Sequence, residues 1–380
     1  MTRIGFAYNQ KPDQKPESVD IAAATELSSV DEEPPSRGSL ATLAAPTPAL
    51  TSAPDDEYAE WDSAETIDAV ARALARHGEV VRLEATDDFP QRLREARPDI
   101  VFNIAEGLRG ANREAHVPAI CEFYGIPYSG SDPFTLALCL DKARTKEILR
   151  AHGVPTADWW LVQTVTDVTA LLDQPLAFPL FAKPVHEGSS KGITERNFVA
   201  SLDQLAPVVL DLLERYQQPV IVERYLAGAE FTCGVLGNGA EARVLPIVGM
   251  NFGSLPDGAL PIYGFEAKWV WDRAEHPLQI FECPARITER LRAGIERVVL
   301  RTFSALGCRD WSRVDVRLDS EGLVNVVEVN PLPGILPDPA DNSCLPKAAR
   351  AAGLDYDALI GACLQAAAAR HGVALGQAAA

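Results

Sequence analysis

Apolar positions along this chain switch repeatedly between the spacing of a strand and that of a helix. TRIGFAY (residues 2–8) is a short apolar run of strand length. In DSAETIDAVARALARHG, Ile67, Val70 and Leu74 mark a buried helical stripe. Asp62 and Glu65 form a capping-box pattern before it, and Gly78 supplies the stop. EVVRLEA, DFPQRLREA and DIVFNIAE follow as strand, helix and strand. This βαβαβ alternation predicts a parallel sheet with helices on its faces. A further helix near 112–124 leads to GIPYSGSD, whose Gly, Pro and Ser content sets a boundary near residue 130.

From about residue 140 the helix LDKARTKEILRAHG is followed by strands at WWLVQ, LFAKPV and PVIVERYL. EFTCGVLG and ARVLPIVGM then open a third stretch, with a loop at 253–272, a long helix at ITERLRAGIERVVLRTFSALG and a late hairpin. The alanine-rich tail from QAAAARHG onward reads as a final helix that frays. The expectation is three α/β or α+β units in series, over residues 1–130, 131–226 and 227–380, which suits a chain of 380 residues.

Residues 10–56 break this periodicity. They are rich in Pro, Ser, Ala and Glu, and read as a disordered or loosely held insert between the first strand and the first helix. A docking tail for a partner is the lesser reading. Residues 11–62 hold three basic side chains against twelve acids, half of the net charge of -18. No basic stripe of the kind that nucleic acid or anionic lipid requires is left over. Without a signal-peptide core or a membrane-length apolar run, a soluble cytoplasmic protein is expected. The seven cysteines have no metal-finger or disulfide spacing.

The stretch RVDVRLDSEGLVNVVEVNPLPG (313–334) carries the densest chemistry. A turn at Asp319-Ser320-Glu321-Gly322 separates two β-branched runs. If Leu318 pairs with Leu323, Asp315 stands opposite Val326 and Arg313 opposite Glu328. Val314, Val316, Val327 and Val329 then turn to the core. Asp315 and Glu328 become diagonal neighbours with Asn330 one pleat on. Such an all-oxygen set suits Mg²⁺. A solvated acidic sheet face is an equal reading of these three residues alone.

HEGSSKG (186–192), with Glu187, Gly188, Ser189 and Ser190, follows a strand ending in Lys183 and has the composition of an anion-turning loop. It lacks a Walker ending, and by itself reads first as a plain turn. Lys142 is a second candidate cation for the same phosphates. VIVERYLAGAEF places Glu223 and Glu230 at a strand end where a purine would meet main chain near Tyr225 and Leu226, with Glu230 accepting from ribose hydroxyls; two exposed acids is the competing reading. YGFEAKWVWD (263–272) reads as a lid whose Lys268 reaches a terminal phosphate. Gly334 would admit a reacting oxygen, and Arg313 would stabilise charge developing on it.

In order, LDKARTKEILRAHGVP, FAKPVHEGSSKG, VIVERYLAGAEFT, FEAKW, LGCRDWSRVDVRLD, VNVVEVNPLPG and SCLPKAARAAGL resemble the ATP-grasp superfamily, and within it the D-alanine:D-alanine ligase family. The resemblance spans about residues 99–365. It implies an ATP-grasp fold with an N-terminal Rossmann-like unit. It further implies ATP clamped by Lys142 and Lys183, adenosine near Glu223, Tyr225, Leu226 and Glu230, and Lys268 over the γ-phosphate. Asp315, Glu328 and Asn330 match ligands for two Mg²⁺ ions, where Mn²⁺ would also serve. Arg313 and the Gly334 amide match groups for a tetrahedral intermediate, and Ser189 and Ser343 match substrate-positioning serines. The implied reaction joins an amino acid or related carboxylate to an amine through an acyl phosphate, and the implied assembly is a homodimer. D-Alanine:D-alanine ligation itself is the first alternative, and an ATP-binding regulatory protein without turnover is the second.

Two departures fall on substrate-reading positions. Glu106-Gly107 stands where the family has His-Gly, and an acid there favours an amine-bearing group over a carboxylate. Trp269 replaces the lid Tyr, which removes a hydroxyl link to Ser189 and an N-terminal Glu whose place falls near Glu60.

Overall fold

The computed structural model describes residues 1–12, 58, 60–107, 109–188, 190–264, 266–272 and 278–376. The expected disorder of the 10–56 insert lies almost wholly outside them. Its stems are held: the amide of Lys11 donates to Asp62 O at 2.8 Å and that of Asp62 to Asn9 O at 3.1 Å.

Strand β1 (Arg3–Tyr8) is central in a parallel sheet of order β2-β1-β3, with β2 at Glu79–Glu84 and β3 at Ile100–Asn103. Helices α1 (Ala64–Ala75) and α2 (Phe89–Ala96) make the crossovers. The cap of α1 is Ser63, whose hydroxyl accepts from Thr66 N, and not Asp62 as the capping-box pattern suggests. Asp62 is one residue too early because its backbone is pinned to Gln10 in a bridge. A short 3-10 turn (Arg113–Ala115) leads into α3 (His116–Tyr124).

After α4 (Pro133–Leu140) and α5 (Lys142–Ala151) comes an antiparallel sheet of order β4-β7-β5-β6. Its strands are β4 (Trp159–Val162), β5 (Leu180–Pro184), β6 (Phe198–Val199) and β7 (Val220–Arg224). Two amphipathic helices, α6 (Val165–Leu172) and α7 (Leu202–Tyr216), bury Val168, Leu171, Leu205, Val209 and Leu212 against Val162, Leu180 and Val220.

The third sheet has the order β11-β10-β8-β12-β13, with β9 (Arg243–Val244) paired to β8. β8 is Glu230–Leu236, β10 Val248–Met250, β11 Phe281–Glu282, β12 Trp311–Leu318 and β13 Val324–Asn330. Helix α8 (Glu289–Ala305) covers one face through Ile295, Val299 and Phe303, which meet Cys233, Val314 and Val316. α9 (Cys344–Ala351) and α10 (Tyr356–His371) complete the chain. QAAAARH is the end of α10, stopped by Gly372 at φ +69, and residues 373–376 are not helical, where a fraying helix was expected; the last four residues lie outside the described ones. α10 returns to the first sheet, where Leu359, Ile360 and Leu364 share a core with Ile67, Val70 and Leu74 of α1. Phe102 of β3 stacks on Trp311 of β12, centroids 5.3 Å apart, so first and third sheets meet directly.

Candidate active site

The hairpin β12–β13 pairs Arg313 with Asn330, Asp315 with Glu328, Val316 with Val326 and Leu318 with Val324, with a bulge after Asp315. Two sequence expectations are corrected here. Asp315 and Glu328 are direct cross-strand partners and not diagonal ones, and Arg313 faces Asn330 and not Glu328. Val326 joins the core, whereas Val327, expected there, is half-buried along the cavity. The cause is local: the turn takes in Leu323, and the bulge then spends one unpaired residue, which restores the acids to one face.

Cations neutralise that face. Arg313 Nε lies 3.1 Å from Asp315 Oδ1 and its Nη2 2.9 Å from Oδ2. Lys142 Nζ sits 3.1 Å from Glu328 Oε1 and also donates to the carbonyl of Glu187. Burial would raise the Glu328 carboxyl, but Lys142, Lys183 and Arg313 hold it below the usual range. Two carboxylates and an amide oxygen are hard donors that fit a divalent ion taking its other ligands from phosphate and water. Gly334 needs to be glycine neither for φ nor for packing, since a Cβ there would meet nothing within 4 Å. Ser343 closes the connection after β13, its Oγ accepting from Leu336 N at 3.2 Å and donating to Gly334 O at 3.3 Å.

The opposite wall is built on β5, β7 and α5. Glu223 lies between Lys146 and Lys183, each ammonium 2.6 Å from a carboxylate oxygen. Burial would raise Glu223; the two lysines outweigh it and hold it at about 2. Lys146 was not among the expected residues, although its place four positions after Lys142 sets both on one face of α5. At the end of β7, Arg317 binds Glu230 at 2.9 Å, the Tyr225 hydroxyl at 2.9 Å and Pro261 O at 2.9 Å. Its place two positions after Asp315 on β12 was the available signal. Burial, partly offset by Arg317, raises Glu230 to about 7. The Tyr225 amide donates to Pro179 O, while Leu226 lines the cavity.

The remaining walls come from the first sheet and the lid. Both Glu60 oxygens lie 2.9 Å from Arg113 Nη2, Lys191 Nζ approaches Oε2 at 3.4 Å, and Arg113 Nη1 donates to His186 O at 3.1 Å. A Cβ at Gly188 would stand 2.5 Å from Glu60 Oε1, so the glycine-serine loop packs on this acid. Ser190, at φ +64, donates to Tyr263 O at 3.1 Å. Gly107 takes φ +73, and its amide donates to Asn9 Oδ1 at 2.9 Å. The loop expected to act as a lid contains a π-helical turn, Glu266–Trp271. Lys268 on it is lowered to about 8 by burial and then by Arg313. Ser189 and the side chain of Trp269 lie outside the described residues.

One cavity of about 340 Å³ joins these walls. Asp315, Glu328, Asn330, Arg313 and Gly334 line it on one side, and Lys183, Glu223, Glu230 and Leu226 on another. Glu106, Glu187, Ser190, Lys268 and Ser343 reach it too. Lys142 contributes through its pair with Glu328, and Gly107 as the neighbour of Glu106.

Residues 148–365 match the family model described as D-ala D-ala ligase C-terminus. An uncharacterised protein of Sinorhizobium fredii is 36% identical over 272 residues, 72% of this chain and 75% of its own length. The D-alanine–D-alanine ligase of Mannheimia succiniciproducens is 33% identical over 297 residues, 77% of this chain and 89% of that enzyme. The crystal structure of the D-alanine–D-alanine ligase from Bacillus anthracis complexed with ATP shares the fold, with a TM-score of 0.65, 21% identity and coverage of 98% of this chain and 99% of that one. The sheets, the hairpin and these similarities together place the chain in the D-alanine–D-alanine ligase family of ATP-grasp carbon–nitrogen ligases.

Proposed function

We propose that this ligase moves the γ-phosphoryl group of ATP to the carboxylate of an amino acid or related acid, and that an amine then attacks the acyl carbon. Nitrogen loses a proton, phosphate leaves, and an amide remains. The carrying observation is that Asp315, Glu328, Asn330 and Arg313 share one hairpin face and open into the cavity lined by Lys183, Glu230 and Lys268.

In this reading Lys142 and Lys183 hold the phosphates, and Lys268 covers the γ-phosphate when the lid closes. Glu187, Gly188, Ser189 and Ser190 form the phosphate loop. Glu223, Tyr225 and Leu226 border the adenine, and Glu230 the ribose. Asp315, Glu328 and Asn330 would hold Mg²⁺, two ions by family likeness; when bound, these ions neutralise phosphate charge and align the transfer. Arg313 and the Gly334 amide stabilise the oxygen that gains charge as the amine attacks. Ser343 orients the acceptor. Both substrates are small molecules met in the cytoplasm.

A second reading is D-alanine–D-alanine ligation itself, favoured by the names of the relatives at 33–35% identity. A screen of amino-acid pairs, scored by phosphate release and product mass, separates the two. Efficient product from D-alanine alone supports the second reading, and ATP binding without ADP formation across a broad panel removes both.

A further inference from the structure

Among the acids on the first-sheet side of the cavity, Glu60 is matched. Arg113 grips both of its oxygens and Lys191 stands beside it. Asp62 has Lys11 for its charge partner. Glu106 lines the cavity, and among the described residues it makes neither a hydrogen bond nor an ion pair. Glu114 beside it is only 8% exposed and equally unpartnered among those residues.

The turn that presents Glu106 is fixed. Trp61 Nε1 donates to Gly107 O at 3.1 Å, and a Cβ at Gly107 would stand 2.4 Å from Arg113 O. The charged groups that act most on Glu106 are Glu114, Glu60, Asp62 and Arg113, three acids against one cation. Burial and those neighbouring acids push the Glu106 carboxyl well above its ordinary range. A carboxyl in such a place gains its charge when a cation enters.

We propose that Glu106 is a specificity-determining residue that receives a cationic side-chain group, so that the activated substrate is an amino acid with a basic side chain. This rests on the ligase reading and narrows its substrate class. An arriving ammonium supplies a partner to this half-buried acid, whereas an apolar end leaves it unpaired and an acidic end adds repulsion.

The test is calorimetric binding of ornithine, norvaline and glutamate, in both enantiomers, to the full chain with MgADP. One enantiomer of ornithine should bind about tenfold or more tighter than its norvaline counterpart, the size of one charge-assisted bond. Glu106→Gln should shrink that ratio below about threefold, with Glu106→Asp retaining part of it. Ornithine binding should release a proton and strengthen as the pH rises through the Glu106 titration, while norvaline binding stays flat. Equal binding of ornithine and norvaline by the wild type overturns the proposal. Tightest binding by glutamate also overturns it, because Glu106 then acts as a neutral donor. Selective ornithine binding with no ADP formed on adding ATP and amines upholds this subsite and sinks the ligase reading instead.

Discussion

Arg313 and Asp315, two positions apart on β12, close on each other with Nη2 and Oδ2 at 2.9 Å. The guanidinium thus shares with a bound metal ion a carboxylate that has lone pairs for both. If Asp315 and Glu328 hold Mg²⁺ as proposed, Asp315→Asn and Glu328→Gln should each lower kcat by at least about 100-fold, with unchanged circular dichroism, since each would remove a charged ligand. Wild-type turnover at saturating Mg²⁺ in either variant would reject the metal assignment.

Glu223 is the only acid paired to Lys146 and Lys183 among the described residues. Glu223→Gln leaves two buried ammonium groups facing each other and should cost about 3–5 kcal/mol, read as a lower melting temperature. Because its folded pKa is depressed, Glu223 contributes stability at neutral pH that is lost as the pH falls from about 4.5 toward 2. The melting temperature of the variant should therefore fall less than that of the wild type as the pH is lowered over that interval.

Lys268, lowered to about 8 by burial and Arg313, carries its charge at pH 7 and loses it on mild alkalinisation. The kcat/KM for ATP should fall as the pH rises through about 8. Lys268→Arg, whose group stays charged, should move that limb to higher pH even if its maximal rate is lower. An unmoved limb would assign the titration to another group.

The chain leaves β1 and rejoins α1 through adjacent bonds, Lys11 N to Asp62 O and Asp62 N to Asn9 O. Removing residues 12–54 shortens a loop whose ends already meet, which lowers the cost of closure by about 2 kcal/mol at most. Thermal stability should stay near wild type, as differential scanning calorimetry would show. A collapse would mean that the insert packs on the body.

Much of this architecture could be read from periodicity. Ile67, Val70 and Leu74 marked α1, and the paired valines of β12 and β13 announced the hairpin. The bulge was not legible, because it depends on how a five-residue turn and the flanking strands share one extra position. Likewise Asp62 and Ser63 are equally good caps in sequence, and only the pinned backbone at Asp62 decides between them. The roles of Arg113 and Lys191 are not legible in the sequence, since nothing local says that the glycine-serine loop will fold back onto Glu60. Lys146 and Arg317 were within reach, each being a same-face neighbour of a residue already singled out. The destination of α10 was hidden too: its apolar residues run around the whole helix, so no stripe pointed to α1.

That last contact bears on biosynthesis. Until Leu359, Ile360 and Leu364 leave the ribosome, Ile67, Val70 and Leu74 have no cover on that side. Helix α1 thus waits for the much later α10, and nascent chains stalled before α10 would present a greasy helix to chaperones.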